Sequence, residues 1–375
     1  EGGGDPRRFA GYNNLTHRLK PFVAIPTTAG TGSEVTAISV IKDREAGSKT
    51  FFFSQFLLPD VAVLDPRMTL KLPPMITAAT AMDALTHAVE AYTCLGKNPL
   101  SDAYAEAAIR RISRWMVPVL ENPQDGDGRL ALAEAAAMAG IAFSNSPVGL
   151  VHALAHTVGA MYGIHHGAAN SIFLPAVLRF NLPRCRDQIG DLLLYLAGAD
   201  VYAGTSVDRR PEEAIGRIEE LKEKAHAFCG LPRTLAETGK VSRDALPEVA
   251  TRSLDDGTMV MNPRDVTYEQ ALEVLRSAYE DRDTVWPSKY QDIALLAAFF
   301  RDAPTAGGDV VDPDDVDPRR AGRGGGDGQD VARPLPRLVD GAARLEARAR
   351  RDRGGAGAAR QGHRHPVFPR GHAQR

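Results

Sequence analysis

The chain has 375 residues, a formal net charge of −2 and a pI near 6.6. It therefore lacks the overall positive charge that would indicate binding to nucleic acid or to an anionic membrane. No apolar run reaches the roughly 20 residues that a membrane-spanning helix needs. The three cysteines, Cys94, Cys185 and Cys229, lie far apart and are odd in number, which argues against a disulfide framework and favours the cytoplasm.

The first part of the chain contains short apolar runs separated by loops, which is typical of an α/β domain. Buried strands are predicted at 21–26 and 60–66, and a further strand at 35–41. The loop 27–34, Thr-Thr-Ala-Gly-Thr-Gly-Ser-Glu, directly follows the first strand. Its backbone N–H groups and hydroxyls could hold a phosphate or a nicotinamide amide, although a plain turn explains it equally well. It lacks both the lysine of a Walker loop and the G-x-G-x-x-G spacing.

Long stretches rich in Ala and Leu then predict helices. They lie at 76–93, 101–120, 129–145, 150–162, 190–197, 212–228 and 267–279. Ser101 is the predicted N-cap of the second helix, and Gly230 is predicted to end the helix at 212–228. The change in composition places a boundary near Leu72, with an α/β domain at 1–72 and an all-helical domain at 73–280.

Residues 281–375 are rich in Gly, Arg and Pro and contain few large apolar residues. Such a composition buries too little apolar surface to offset the chain entropy lost on folding. This segment is therefore predicted to be a disordered tail or an out-of-frame translation. A basic arm that binds nucleic acid is the alternative.

The helical domain contains an Asp-x-x-x-His pair, Asp83 and His87, within an apolar stretch. Four residues apart on a helix, the two side chains share one face. An unpaired carboxylate would be costly there, and a metal ion would supply a partner. Taken alone, the pair is better explained as an Asp near a helix N-terminus and a histidine packed in the core.

A second pair, His152 and His156, has the same spacing, and His165 and His166 follow. The pair formed by His152 and His156 lacks the glutamate of a zinc protease H-E-x-x-H motif. Three imidazoles with one carboxylate suit Fe(II) or Zn(II), so these histidines favour a metal site over structural roles. A metal-dependent hydrolase and a metal-binding fragment without turnover are both compatible with such a site.

Four stretches together resemble the iron-containing (group III) alcohol dehydrogenase family. They are PFVAIPTTAGTGSEVT at 21–36, LPDVAVLDPRMTLKLPP at 58–74, AATAMDALTHAVEAYT at 78–93 and GLVHALAHTVGAMYGIHHGAANSIFLP at 149–175. The resemblance implies a dehydroquinate synthase-like architecture. An α/β nucleotide-binding domain, here partial, precedes an all-α metal-binding domain, and metal and substrate lie in the cleft between them.

The resemblance also assigns residues, one by one. The implied metal ligands are Asp83, His87, His152 and His166, with His165 as an alternative to His166. His156 matches a histidine with a catalytic, proton-relay role. The implied cofactor-binding residues are Thr27, Thr28, Gly30, Thr31, Lys49 and Met68.

The implied function is an NAD(P)-dependent, metal-dependent oxidoreductase that interconverts a small alcohol and its aldehyde or ketone. Its cofactors would be Fe(2+) or Zn(2+) and NAD or NADP, and a homo-oligomer is compatible with the resemblance. A zinc polyol dehydrogenase of the glycerol dehydrogenase type is an alternative. The family's G-G-G-S pyrophosphate loop has no counterpart here, so 1–72 is expected to be a remnant that binds NAD(P) poorly and could lack activity.

Overall fold

The computed structural model describes residues 4–43 and 48–280, apart from the side chains at 42–43 and 48–49. The predicted tail at 281–375 lies outside the described residues. The described part consists of a short strand-bearing segment followed by a helical one, which confirms the predicted fold class.

Five short strands form two small sheets in the first segment. They are β1 Gly11–Tyr12, β2 Val23–Ala24, β3 Ile38–Asp43, β4 Ser48–Phe53 and β5 Val61–Ala62. β4 pairs in parallel with β1 and antiparallel with β3, while β2 pairs in parallel with β5. The sequence prediction missed β1 and β4.

The prediction that 21–26 and 60–66 form buried strands is wrong about their burial. Each stretch contributes only two residues to the sheet, and Val23 lies opposite Val61. Val23, Ile25 and Val61 are 54%, 49% and 49% exposed. No other strand of the described residues pairs with β2 or β5, so their apolar side chains lack the neighbours that would cover them.

The helical segment contains nine α-helices within the described residues. They are α1 Pro74–Thr93, α2 Pro99–Glu121, α3 Gly126–Asn145, α4 Leu150–Tyr162, α5 His166–Ala197, α6 Ala199–Gly204, α7 Arg210–Cys229, α8 Leu246–Ser253 and α9 Tyr268–Tyr279. Every predicted helix is present. The prediction missed α6, α8 and the first three quarters of α5, a helix that contains Pro175 and Pro183 and is broken at Cys185.

The ends of two helices test the predicted caps. The side chain of Asn98 accepts hydrogen bonds from the backbone N–H groups of Leu100 and Ser101. The hydroxyl of Ser101 accepts one in return from the N–H of Asn98. Asn98 is therefore the N-cap of α2 and Ser101 lies three residues inside a capping box, so the predicted cap at Ser101 is wrong. The predicted stop at Gly230 is confirmed, because this residue ends α7 with φ of 73°.

α1 is the central helix, with contacts to α2, α3 and α5. Its residues are buried on all sides from Thr77 to Thr93, as expected of a helix without a polar face. Any charged side chain on this helix must therefore find its partners inside the protein. Asp83, His87 and Glu90 are the residues to which this applies.

No single helix in the described part of the chain is both long and apolar enough to cross a bilayer. Only α3 and α4 taken together, across a bend of 107°, reach that length and apolarity.

Candidate metal centre

Four side chains from three helices converge inside the helical segment. Asp83 and His87 come from α1, His152 from α4 and His166 from the first residue of α5. Each offers one ligand atom, and these atoms all lie within 4.8 Å of one another. The first three side chains are buried, whereas that of His166 is 28% exposed. The cluster is therefore covered less completely at His166 than at the other three side chains.

Gly167 allows α5 to reach α1. A side chain at this position would overlap with the backbone carbonyl oxygen of Ala79, one turn before Asp83. The close approach places Nε2 of His166 3.6 Å from Oδ1 of Asp83. A residue without a Cβ is therefore needed next to the fourth candidate ligand.

The other two histidines of this region lie outside the cluster. His165 precedes α5 and is exposed, so the structure brings His166, and not its neighbour, to Asp83. His156 lies one helical turn after His152, and its ring stacks on that of His166 with centroids 5.2 Å apart. His156 is thus adjacent to the candidate ligands without being one of them.

The pKa values of the buried pair on α1 are shifted in the directions that favour metal binding. Burial opposes ionisation of Asp83, but attraction to His87 and His166 outweighs it and lowers the pKa of this carboxyl. Burial also lowers the pKa of His87, against the opposing pull of Asp83. An ionised carboxylate and a neutral imidazole are the forms that coordinate a cation.

Asn170 provides a further sign that the cluster fits a cation. Its Nδ2 donates to Oδ1 of Asp83 at 2.6 Å and lies 3.2 Å from Nε2 of His152 and 3.3 Å from Nε2 of His166. Within the described part of the chain, its Oδ1 is buried without a hydrogen-bond partner. One side-chain amide is therefore surrounded by three acceptor atoms, an environment in which a divalent cation such as Fe(II) or Zn(II) would be stabilised.

Glu90 lies behind the cluster on the same face of α1. Its Oε2 is 2.5 Å from Nδ1 of His152, and its Oε1 accepts a hydrogen bond of 2.8 Å from the N–H of Val151. Burial raises the pKa of Glu90 to about 8, although the neighbouring backbone N–H groups of α4 oppose the shift. The carboxyl group and the imidazole are thus in hydrogen-bond contact in a water-poor environment.

Asp256 orients His156 in a similar way. Its Oδ2 is 2.9 Å from Nδ1 of His156, and its Oδ1 accepts from the N–H and the hydroxyl of Thr258. Burial would raise the pKa of Asp256, but the hydrogen bond to His156 outweighs it, and the pKa is lowered. An ionised carboxylate therefore fixes the ring beside the cluster.

The loop 27–34 lies against α1 close to the cluster. A Cβ on Gly30 would come within 2.7 Å of Cβ of Thr80, one turn before Asp83. Gly32 has φ of 60°, and a Cβ there would meet the backbone of α3. The two glycines thus allow the loop backbone to contact both helices.

The predicted cofactor residues of this loop differ in exposure. Thr27 and Thr31 are exposed, Thr28 is half-buried and Gly30 is buried. Met68 is 44% exposed. Lys49 lies in β4 opposite Lys42, and its side chain is outside the described part of the chain.

Sequence reasoning missed Glu90, Asn170 and Asp256. Two of them had a local signal, since Glu90 follows His87 by three residues and Asn170 follows His166 by four, so each shares a helix face with a candidate ligand. Asp256 had none, because its partner His156 is 100 residues away and only the tertiary fold brings them together.

Two family models match the chain. The model described as "Fe-containing alcohol dehydrogenase family, C-terminal" matches residues 77–279, and the one described as "Iron-containing alcohol dehydrogenase" matches residues 5–66. Together they account for both segments of the described structure and agree with the resemblance seen in the sequence.

Individual relatives agree with the family models. The chain is 36% identical to NAD-dependent methanol dehydrogenase of Bacillus methanolicus, over 74% of this chain and 71% of the relative. It is 38% identical to 1,3-propanediol dehydrogenase of Klebsiella pneumoniae, over 74% and 70%. The crystal structure of a 1,3-propanediol oxidoreductase superposes with a TM-score of 0.70 at 37% identity, covering 74% of this chain and 71% of that one.

Proposed function

The chain belongs to the iron-containing alcohol dehydrogenase family, and we propose that Asp83, His87, His152 and His166 hold the divalent cation with which it interconverts a small alcohol and its aldehyde or ketone. It is an oxidoreductase of a family that uses NAD and a divalent metal. The convergence of the four ligand atoms within 4.8 Å carries the residue assignment. Family membership argues against the metal-dependent hydrolase that the residues alone left open.

The chemistry divides between the bound groups and the residues of the chain. When bound, the cation supplies a Lewis acid that lowers the pKa of an alcohol, and the nicotinamide accepts a hydride. Thr27, Thr28, Gly30 and Thr31 would hold the cofactor against α1, beside the cluster, with contributions from Lys49 and Met68. Two of these threonines have exposed side chains that are accessible to a ligand.

His156 would move the proton that the alcohol releases. Its Nδ1 is held by Asp256 at 2.9 Å, which leaves Nε2 to take up a proton. Its ring stacks on His166 on one side, and its side chain is 20% exposed. A proton taken from the buried site can therefore leave towards solvent through this side chain.

Several finer assignments belong to the same proposal. Residues 1–72 would serve nucleotide binding, 73–280 would hold metal and substrate, and 281–375 would contribute to neither. Fe(2+) is the expected metal, with Zn(2+) as the competitor that generic affinity favours. We further propose that the protein acts in the cytoplasm, with NAD or NADP, as a homo-oligomer.

The replacement His152→Ala tests the ligand assignment. Bound metal is measured by elemental analysis after loading with Fe(II) or Zn(II), together with NAD(P)-dependent oxidation of short alcohols. Changes to outer-shell groups alone cost about 10–100-fold in metal affinity, so loss of a ligand is expected to weaken binding by more than that. His165→Ala is the matched control, because this exposed histidine lies outside the cluster. If His152→Ala retains both metal and oxidation, the assignment is wrong.

A further inference from the structure

Glu90 is a buried carboxyl group that the four-residue cluster does not include. It is 4% exposed and lies one helical turn after His87 and two turns after Asp83. These three residues therefore form a single line along one face of α1. Two of them point to the cluster directly, and the third reaches it only through His152.

Both carboxyl oxygens of Glu90 have partners on α4. Oε1 accepts from the backbone N–H of Val151 at 2.8 Å, and Oε2 lies 2.5 Å from Nδ1 of His152. A buried carboxylate is costly unless its oxygens are satisfied in this way. The contacts also tie the first turn of α4 to α1, so they join the two helices that provide three of the four candidate ligands.

The two nitrogens of His152 face different groups. Nδ1 faces Glu90, whereas Nε2 is 3.2 Å from Nδ2 of Asn170, the atom that also contacts Asp83. Nε2 therefore points into the cluster. An imidazole can coordinate through Nε2 only if this nitrogen carries a lone pair, which requires the proton to be on the Nδ1 side.

We propose that Glu90 is a positioning residue for the metal centre, which holds His152 with its proton on Nδ1 and its Nε2 lone pair directed at the cation. The inference rests on the proposed function, since it requires a cation at the cluster. Hydrogen-bonded carboxylates behind metal-bound histidines fix both ring orientation and tautomer. Glu90 thereby sets the donor geometry before the metal binds.

The replacement Glu90→Gln separates this role from simple packing. Glutamine has nearly the same shape, and its oxygen can still accept the N–H of Val151. Its NH2 group would then face Nδ1 of His152 and donate to it, which places the imidazole proton on Nε2. The variant thus keeps the link between α1 and α4 but favours the wrong tautomer for coordination.

The experiment measures the affinity of the metal-free full-length chain for Co(II) and Zn(II), by titration against a competing chelator. Glu90→Gln is expected to bind about 10–100-fold more weakly than the unmodified chain, with an altered Co(II) absorption spectrum and little change in the melting temperature of the metal-free protein. Glu219→Gln, on α7, is the matched control, since it breaks an ion pair with Arg179 of α5 and should leave affinity and spectrum unchanged.

The outcomes distinguish the inference from the proposed function. If the unmodified chain binds no metal, the proposed function fails and the inference fails with it. If the unmodified chain binds metal and Glu90→Gln binds it equally well, only the role of Glu90 is refuted. A fall in melting temperature without a change in affinity also refutes it, because it indicates a packing role.

A second measurement covers the case in which Glu90→Gln does not fold. Nitrogen-15 NMR of the histidine rings in the zinc-loaded, unmodified chain reports the tautomer of each imidazole, and the spectrum of His152→Ala identifies the signals of His152. The expected result is a proton on Nδ1 and coordination through Nε2. Coordination of His152 through Nδ1 would overturn the proposal.

Discussion

The helical segment and the strand-bearing segment before it differ in how they bury apolar residues. In the helical segment, α1 is covered on all sides and side chains such as Phe173 and Leu85 have no exposed surface. In the strand-bearing segment, Phe22, Val23 and Val61 remain about half exposed. Within the described residues, the strand-bearing segment thus provides little packed core of its own, and the helical segment provides most of the core.

This difference is reflected in where the candidate chemistry lies. The candidate metal cluster lies on α1, α4 and α5, where most side chains are buried away from water. The loop 27–34 belongs to the less covered segment but is held against α1 and α3 by Gly30 and Gly32. A buried candidate metal cluster and a more accessible loop, which we propose to hold the cofactor, are therefore brought together by the close contact of the loop backbone with α1.

The largest expected effect contrasts one apolar residue from each segment. Phe173→Ala should lower the free energy of unfolding by about 3–5 kcal/mol, because it leaves a cavity in the core. Val61→Ala should change it by less than about 0.5 kcal/mol, since the side chain is already exposed. Denaturant unfolding of both variants gives the two values. Equal losses would mean that the strands are covered in solution and that the contrast does not hold.

A smaller effect is expected at the contact between α5 and α1. Gly167→Ala forces the new methyl group into the carbonyl of Ala79, and such overpacking typically costs about 1–3 kcal/mol. Because His166 is the neighbouring residue, metal affinity should fall as well. Calorimetric metal titration and thermal unfolding measure the two consequences.

Gly216→Ala is the control for that experiment. It lies on α7, where a Cβ would meet nothing within 4 Å. Replacing a helical glycine without a clash should raise stability by roughly 0.5–1 kcal/mol. If Gly167→Ala behaves like Gly216→Ala, the close approach of the two helices is not needed for the site.

The smallest effect is expected at the surface of the helical segment. Arg233 donates to both carboxyl oxygens of Glu237, and this hydrogen bonding lowers the pKa of Glu237. Glu237→Gln should cost less than about 1 kcal/mol at neutral pH, as is usual for an ion pair that solvent still reaches.

The pH dependence of this effect has a defined sign. Because the pKa of Glu237 is lower in the folded than in the unfolded state, its ionised carboxylate stabilises the folded state at any pH above the unfolded-state pKa. This stabilisation is lost as the pH falls through the folded-state pKa. The difference in unfolding free energy between Glu237→Gln and the unmodified chain should therefore disappear in acid, as measured by urea unfolding from pH 7 to pH 3. A constant difference would show that the carboxylate charge is not its source.

Helical periodicity and residue chemistry predicted much of the helical segment. Asp83 with His87, and His152 with His156, are visible as pairs because their spacing is local. The burial of the strands was mispredicted because an apolar run does not reveal how many neighbours its strand will have, as Val23 and Val61 show. Asp256 could not be predicted because it is 100 residues from His156 in the sequence, and only the tertiary fold places it beside α4.

The central claim is that one divalent cation binds to four particular side chains. Anomalous X-ray diffraction from metal-loaded crystals at the iron or zinc absorption edge tests it most directly. A single strong peak is predicted within about 2.0–2.2 Å of one oxygen of Asp83 and one nitrogen each of His87, His152 and His166. A peak bound instead to His156 or His165, or a loaded crystal with no peak among these residues, would contradict the account.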